Sequence, residues 1–104
     1  RLKINQFGGN IPETYGVPVE EIKKGIQNGA RKGNIDTDLR LSWTAAVREV
    51  MSTKPAEFDP RAFLKPAIAA MQQVCKDRYI AFGANDQASK IKQIPAELFV
   101  KHYQ

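Results

Sequence analysis

Residues 30–40, Ala30-Arg31-Lys32-Gly33-Asn34-Ile35-Asp36-Thr37-Asp38-Leu39-Arg40, decide how this chain folds. Up to Asp36 the run is short and lies just behind a helical pattern that Gly29 closes, as expected for a buried β-strand reached by a short connection. Gly33 weakens that strand, because a residue without Cβ packs nothing and is entropically costly to order. From Asp36 onward the pattern changes. Asp36, Thr37 or Asp38 can cap a helix whose apolar positions Leu39, Trp43, Ala46, Val47 and Val50 recur at three- and four-residue steps. Asn34 to Arg40 therefore lie where a strand ends and a helix begins.

Upstream, GVPVEEIKKGIQNG reads as a helix. Pro18 suits a first helical turn, Glu20 and Glu21 complement the positive end of the helix dipole, and Val19, Ile22 and Ile26 share one face. Arg1 to Tyr15 reads as an extended lead-in with a turn at Gly8-Gly9-Asn10 that Pro12 closes. Downstream, Asp59-Pro60 offers a second cap and a first-turn proline. Pro66 is expected to break the pattern there, giving two abutting helices with a bend, the second running through Ile68, Met71, Cys75 and Phe82 to Gly83. ANDQASKIKQI reads as a loop and an extended arm, and Pro95 starts a last short helix through Leu98, Phe99 and Tyr103.

Helix, strand, helix and further helices make the tail of an α/β architecture, since one strand forms no sheet and leaves the Trp43 stripe little to cover. The expectation is an incomplete chain: a piece of a larger α/β protein, or a helical piece that assembles with other chains. With 104 residues, 26% charged and 42% hydrophobic, it is ordinary globular material and one domain at most. No apolar run reaches the roughly 18 residues that span a bilayer, and the N-terminus lacks a secretory pattern. No membrane partner and a cytoplasmic location are expected. The lone cysteine, Cys75, cannot make an internal disulfide and reads as a small buried hydrophobe. A net charge of +5 raises the question of nucleic acid, but Lys23, Lys24, Arg31, Lys32, Lys54, Lys65, Lys76, Lys90 and Lys92 are scattered among acids. A phosphate-tracking stripe needs clustering, so solvated helix faces are the reading and no nucleic-acid partner is expected.

The junction at Asn34 to Arg40 carries the chemistry. Strand C-termini hold the active sites of barrels and open sheets, and the first N–H groups of the following helix face an anion. Those donors and the Thr37 hydroxyl could hold a phosphate, the Asn34 and Asp36 side chains could reach sugar hydroxyls, and Arg40 could grip a second phosphate. The plainer alternative, that Asp36 or Thr37 only caps the helix, stays open on spacing alone.

GGNIPETYGVPVEEIKKGIQNGARKGNIDTDLRLSWTAAVRE, EFDPRAFLKPA and RYIAFGANDQASKI together resemble, in that order, the C-terminal third of class II fructose-bisphosphate aldolases, from Ile4 to Tyr103. The resemblance implies that the chain is a C-terminal fragment of a (β/α)8 TIM barrel. Residues 1–53 would be the end of the barrel (helix 7, strand 8 and helix 8), and residues 54–104 a C-terminal helical extension. It implies a lyase that reversibly cleaves fructose 1,6-bisphosphate to dihydroxyacetone phosphate and glyceraldehyde 3-phosphate. Zinc held by three histidines would polarise the ketose carbonyl, a monovalent cation would assist, and the protein would self-associate as a dimer or tetramer. His102 is the single histidine, so the zinc ligands would lie upstream, no catalytic or metal residue would fall in this stretch, and His102 reads as a surface side chain.

Position by position, Asn34 resembles the family asparagine at the reacting centre, and Asp36 with Thr37 the pair at the ketose and its first phosphate. Ile35 would contribute through its backbone, Arg40 would bind the other phosphate, and Arg61 would reach that same phosphate in a neighbouring subunit. Without the resemblance, Arg61 reads as a solvated charge beside Asp59. Asp-Thr-Asp favours fructose over the tagatose-bisphosphate relatives, whose motif here differs; a non-catalytic helical oligomerisation module is the alternative of another class. Two departures stand out: Gly33 replaces a branched apolar residue, and Ala84-Asn85-Asp86 replaces Thr-Ala-Gly.

Overall fold

In the computed structural model, residues 1–102 are described. They form α1 (Leu2–Gln6), α2 (Val19–Gln27), α3 (Thr37–Thr53), α4 (Pro60–Ala81), a 3-10 turn at Ala88–Lys90, and α5 (Ala96–His102). Among the described residues there is no strand, so the stretch from Ala30 to Asp36 runs as irregular backbone rather than in a ladder. The physical reason is the absence of a partner: a strand is defined by hydrogen bonds to a neighbour, and none of the described residues offers one.

The architecture is a helical hairpin with appendages. α3 and α4 pack along their lengths, and α1 leans on α3. The shared face is built from small residues: Ala45 and Ala46 of α3 and Ala67 of α4 are buried, which lets the two backbones approach closely. On α4 the less exposed positions recur as Ala62, Phe63, Pro66, Ala67, Ala70, Met71, Val74, Cys75 and Arg78, the period of a helix with one covered face.

Three expectations are corrected. Pro66 does not split the segment; α4 is one helix with the proline inside it. The Asp59 side chain caps it, accepting from the Arg61 N–H at 2.9 Å, and Pro60 fills the first turn, so the start of the helix is well satisfied. Pro66 forfeits one backbone bond, yet the helix runs on through it and packs along α3. The lead-in is likewise not all extended. α1 forms because Ile4 is buried and Lys3 pairs with Glu49 of α3. Gly9 closes it, accepting no larger residue because a Cβ there would run into Ile4, while Gly9 N–H donates to the Ile4 carbonyl at 2.9 Å. Finally, Trp43 is 38% exposed and not part of the covered stripe.

Other readings hold. α2 starts after Pro18 with Glu20 and Glu21 in its first turn and ends before Gly29, whose φ of 106° suits a residue without Cβ. α5 begins after Pro95 and includes Leu98 and Phe99; Tyr103 and the His102 side chain lie outside what is described. Among the described residues no helix is long and apolar enough to cross a membrane.

The molecule is elongated, measuring 58 × 32 × 26 Å with a radius of gyration of 18.8 Å. A compact chain of this length would have about 13 Å. The excess comes from α2 and the C-terminal arm, which do not pack closely on the hairpin.

Candidate functional site

Asn34 to Arg40 cluster at the N-terminus of α3, as their sequence spacing requires. The helix opens with Asp36 as its first half-turn residue, yet the Asp36 carboxylate does not cap it. It turns instead to Arg40, one turn on: Arg40 Nε donates to Oδ1 at 2.8 Å and an Nη donates to Oδ2 at 2.8 Å. Thr37 makes no capping bond either. Among the described residues the N–H groups of Thr37 and Asp38 find no acceptor, whereas those of Leu39 and Arg40 both donate to the Asp36 carbonyl. The plainer alternative, in which Asp36 or Thr37 serves as a cap, is therefore not what forms. Two free donors and the positive end of a 17-residue helix face outward together.

The other named residues surround this end. Asn34 is exposed and accepts from Lys32 Nζ at 2.6 Å through Oδ1. Ile35 is half-buried and faces a different space, a cleft of about 540 Å³ that it shares with Ile22, Ile26, Leu39, Cys75 and Tyr79. A shallower groove between Asp36, Arg40, Trp43, Thr44 and Met71 lies beside the junction. Cys75 is half-buried on the cleft wall rather than enclosed, because nothing fills the cleft opposite it.

Arg61 does not join the cluster. It sits at the start of α4, 89% exposed, and folds back on Asp59 with Nε within 3.1 Å of both carboxylate oxygens and an Nη at 2.6 Å from Oδ2. The guanidinium and the Arg61 N–H hold the Asp59 carboxyl below the usual carboxylate range, and the same contact raises Arg61. The plainer reading of Arg61 describes this geometry. Among the described residues no three His, Cys, Asp or Glu side chains come together to hold a metal ion. The donors among the described residues do not by themselves fit zinc.

Sequence reasoning named Asp38 only as a candidate cap and missed Arg78 and the pairing of the two. Arg78, near the end of α4, donates to Asp38 Oδ2 at 2.7 Å across 40 positions of sequence. No local pattern signals such a pair; only the antiparallel hairpin brings the end of α4 beside the start of α3. Of the other ion pairs, Lys3 with Glu49 ties α1 to α3, while Arg1 with Glu13, Lys23 with Glu20 and Lys24 with Glu21 join exposed or half-exposed surface charges. That distribution matches solvated faces, not a basic stripe.

The start of α3 thus brings together unsatisfied backbone donors, an acid–arginine pair and, two residues before Asp36, an asparagine, groups of the kind that can bind an anion. The family model for class-II fructose-bisphosphate aldolase matches residues 13–87, the region that contains all of this. The chain belongs to that family. It is 63% identical over 100 residues to a fructose-bisphosphate aldolase of Nostoc sp. (strain PCC 7120 / SAG 25.82 / UTEX 2576), covering 96% of this chain and 28% of that relative. It is 60% identical to the fructose-bisphosphate aldolase class 2 of Synechocystis sp. (strain ATCC 27184 / PCC 6803 / Kazusa), again over 96% of this chain and 28% of the relative. Against fructose-bisphosphate aldolase 2 of Rhodobacter capsulatus the identity is 55%, with 96% of this chain and 88% of the relative covered. The chain thus spans little more than a quarter of the length of the first two of these relatives.

Proposed function

We propose that this chain works as the C-terminal part of a (β/α)8 barrel enzyme, a zinc-dependent class II aldolase that reversibly cleaves fructose 1,6-bisphosphate to dihydroxyacetone phosphate and glyceraldehyde 3-phosphate in the cytoplasm. The observation that carries the reading is the uncapped start of α3. Thr37 and Asp38 N–H groups without acceptors, at a helix start that side chains could have capped, suit a phosphate dianion. The names of the relatives favour fructose over tagatose as the sugar.

In this reading the backbone donors and the Thr37 hydroxyl bind one phosphate of the ketose and hold the sugar in place. Asp36 and Asn34 hydrogen-bond its hydroxyls, orienting the carbon–carbon bond that breaks, and the Ile35 backbone lines the approach. Arg40 binds the second phosphate by giving up part of its pairing with Asp36, an exchange of one exposed charge contact for a stronger one. Arg61, outside the cluster at the start of α4, gives up its pairing with Asp59 to reach the same phosphate in a neighbouring copy of a dimer or tetramer. Zinc supplies polarisation of the ketose carbonyl in such enzymes. Its ligands, and those of any monovalent cation, come from outside this chain, so no step here is assigned to residues of this chain acting on the metal.

The test is an aldol cleavage assay on the complete protein that contains this chain, with and without a chelator. Cleavage that chelation abolishes and zinc restores supports the reading; chelator-insensitive cleavage, or none, defeats it. The 104-residue chain by itself is expected to show no turnover.

A further inference from the structure

The ion pair between Arg78 and Asp38 combines three features. Like Lys3 with Glu49 it joins two helices far apart in sequence, here 40 positions, where the pairs on α2, α3 and the start of α4 join residues within one turn. Its arginine is largely covered, at 24% side-chain exposure, against 77% and 89% for Arg40 and Arg61. Its acid lies in the first turn of α3, next to Thr37 and two residues from both Asp36 and Arg40.

An acid in that place is not neutral for the proposed ligand. A carboxylate beside the free donors of α3 would compete with a phosphate for the positive helix end and would repel it. Helix stability alone does not require Arg78 as its partner, because Asp38 already benefits from the dipole at its own helix start. What the arginine adds is direction and neutralisation: it draws the carboxylate toward α4 and cancels its charge, leaving the Thr37 and Asp38 N–H groups facing outward.

We propose that Arg78 is a positioning residue for the phosphate site: from the C-terminal extension, through Asp38, it orients the first turn of α3 and neutralises a carboxylate that would otherwise oppose a sugar phosphate there. This rests on the aldolase reading above. It makes the helical extension part of the site's electrostatics and more than a support for the barrel.

The experiment measures kcat and KM for fructose 1,6-bisphosphate, with melting temperature, in the complete enzyme and in its Arg78→Ala, Arg78→Lys, Asp38→Asn and Arg78→Ala/Asp38→Asn forms. Arg78→Ala is expected to raise KM about tenfold with a smaller change in kcat, as truncating one partner of a half-covered charge pair does. Arg78→Lys restores most of that affinity. The double variant binds better than Arg78→Ala alone, because no unpaired carboxylate remains. A melting temperature that falls while KM stays put in every Arg78 variant would reduce the pair to a structural tie and overturn the inference, as would a double variant no better than Arg78→Ala. An unmodified enzyme without cleavage activity sinks the aldolase reading and this inference together, whereas an active enzyme indifferent to Arg78 sinks the inference alone.

Discussion

Where α3 meets α4, Ala45, Ala46 and Ala67 are closed off from solvent, whereas elsewhere Ile22 and Ile26 of α2 line an open cleft with Tyr79 of α4 and Phe82 just beyond its end. Both regions are apolar by composition. They differ in having a partner: the hairpin supplies its own covering surface, and the cleft waits for one. An apolar wall left open, rimmed by Arg31, Lys32 and Arg78, is what the face of a larger assembly looks like before the rest is added.

The sharpest way to break this contrast is to overfill the closed side. Ala67→Leu inserts a branched side chain into a contact with no free space and should destabilise the chain by about 2–3 kcal/mol, read as a shift in urea midpoint. A loss under half that size would mean the α3–α4 contact is looser than the burial of Ala67 implies.

Tyr79→Ala probes the open side and separates the isolated chain from the assembled enzyme. In the isolated chain, where Tyr79 is 59% exposed, the change should stay within about 0.5 kcal/mol, the usual cost at a surface position. In the complete protein, where the proposed barrel covers the cleft, the same truncation should cost about 2 kcal/mol. Equal losses in the two settings would show that nothing docks there.

How far the sequence foretold this contrast depends on whether the deciding contact is near or far along the chain. α2, α3 and α5 were legible because their apolar spacing and end signals, Pro18, Gly29 and Pro95, act within a turn or two. The Asp59 cap was legible for the same reason. α1 was not: its five residues are held by Ile4 burial and by Lys3 pairing with Glu49, a contact made only after α3 has folded. Pro66 misled because local rules weigh a lost backbone bond and cannot see that the helix packs along α3. At the candidate site, the placement of Asn34 to Arg40 around a helix start could be read off, but not that Asp36 prefers Arg40 to the helix end. Arg78 left no trace in the sequence. The segment from Ala30 to Asp36 had a strand's neighbours but, among the described residues, no strand beside it, and pairing is a property of two segments.

A smaller effect separates the two ends of α4. The Asp59 carboxyl is held low by Arg61, so its contact stabilises the fold above the ordinary carboxylate pKa of 3.8 and is lost as pH falls through the depressed folded value. Asp59→Asn should therefore lower the melting temperature at neutral pH and flatten its fall on the acid side. An acid limb unchanged by the substitution would mean that other carboxylates dominate it.

The smallest effect tests the far end, where α4 gives way to the arm. Asp86 has φ 56°, in the left-handed region where glycine is most at ease. Aspartate tolerates that backbone better than most residues, helped here by Asn85 Nδ2 donating to its carboxylate at 2.9 Å, but it still crowds its own Cβ. Asp86→Gly removes that strain and at the same time frees the unfolded chain, so the two terms oppose each other. With the side-chain bond also lost, the net gain should be about 0.5 kcal/mol or less, with activity unaltered. Asp86→Val is the control that fixes the sign: a β-branched residue forced into the same conformation should lose stability clearly. If valine were tolerated as well as glycine, the loop after Gly83 would be free to change its backbone, and the arm would be tied to the hairpin more loosely than the positive φ requires.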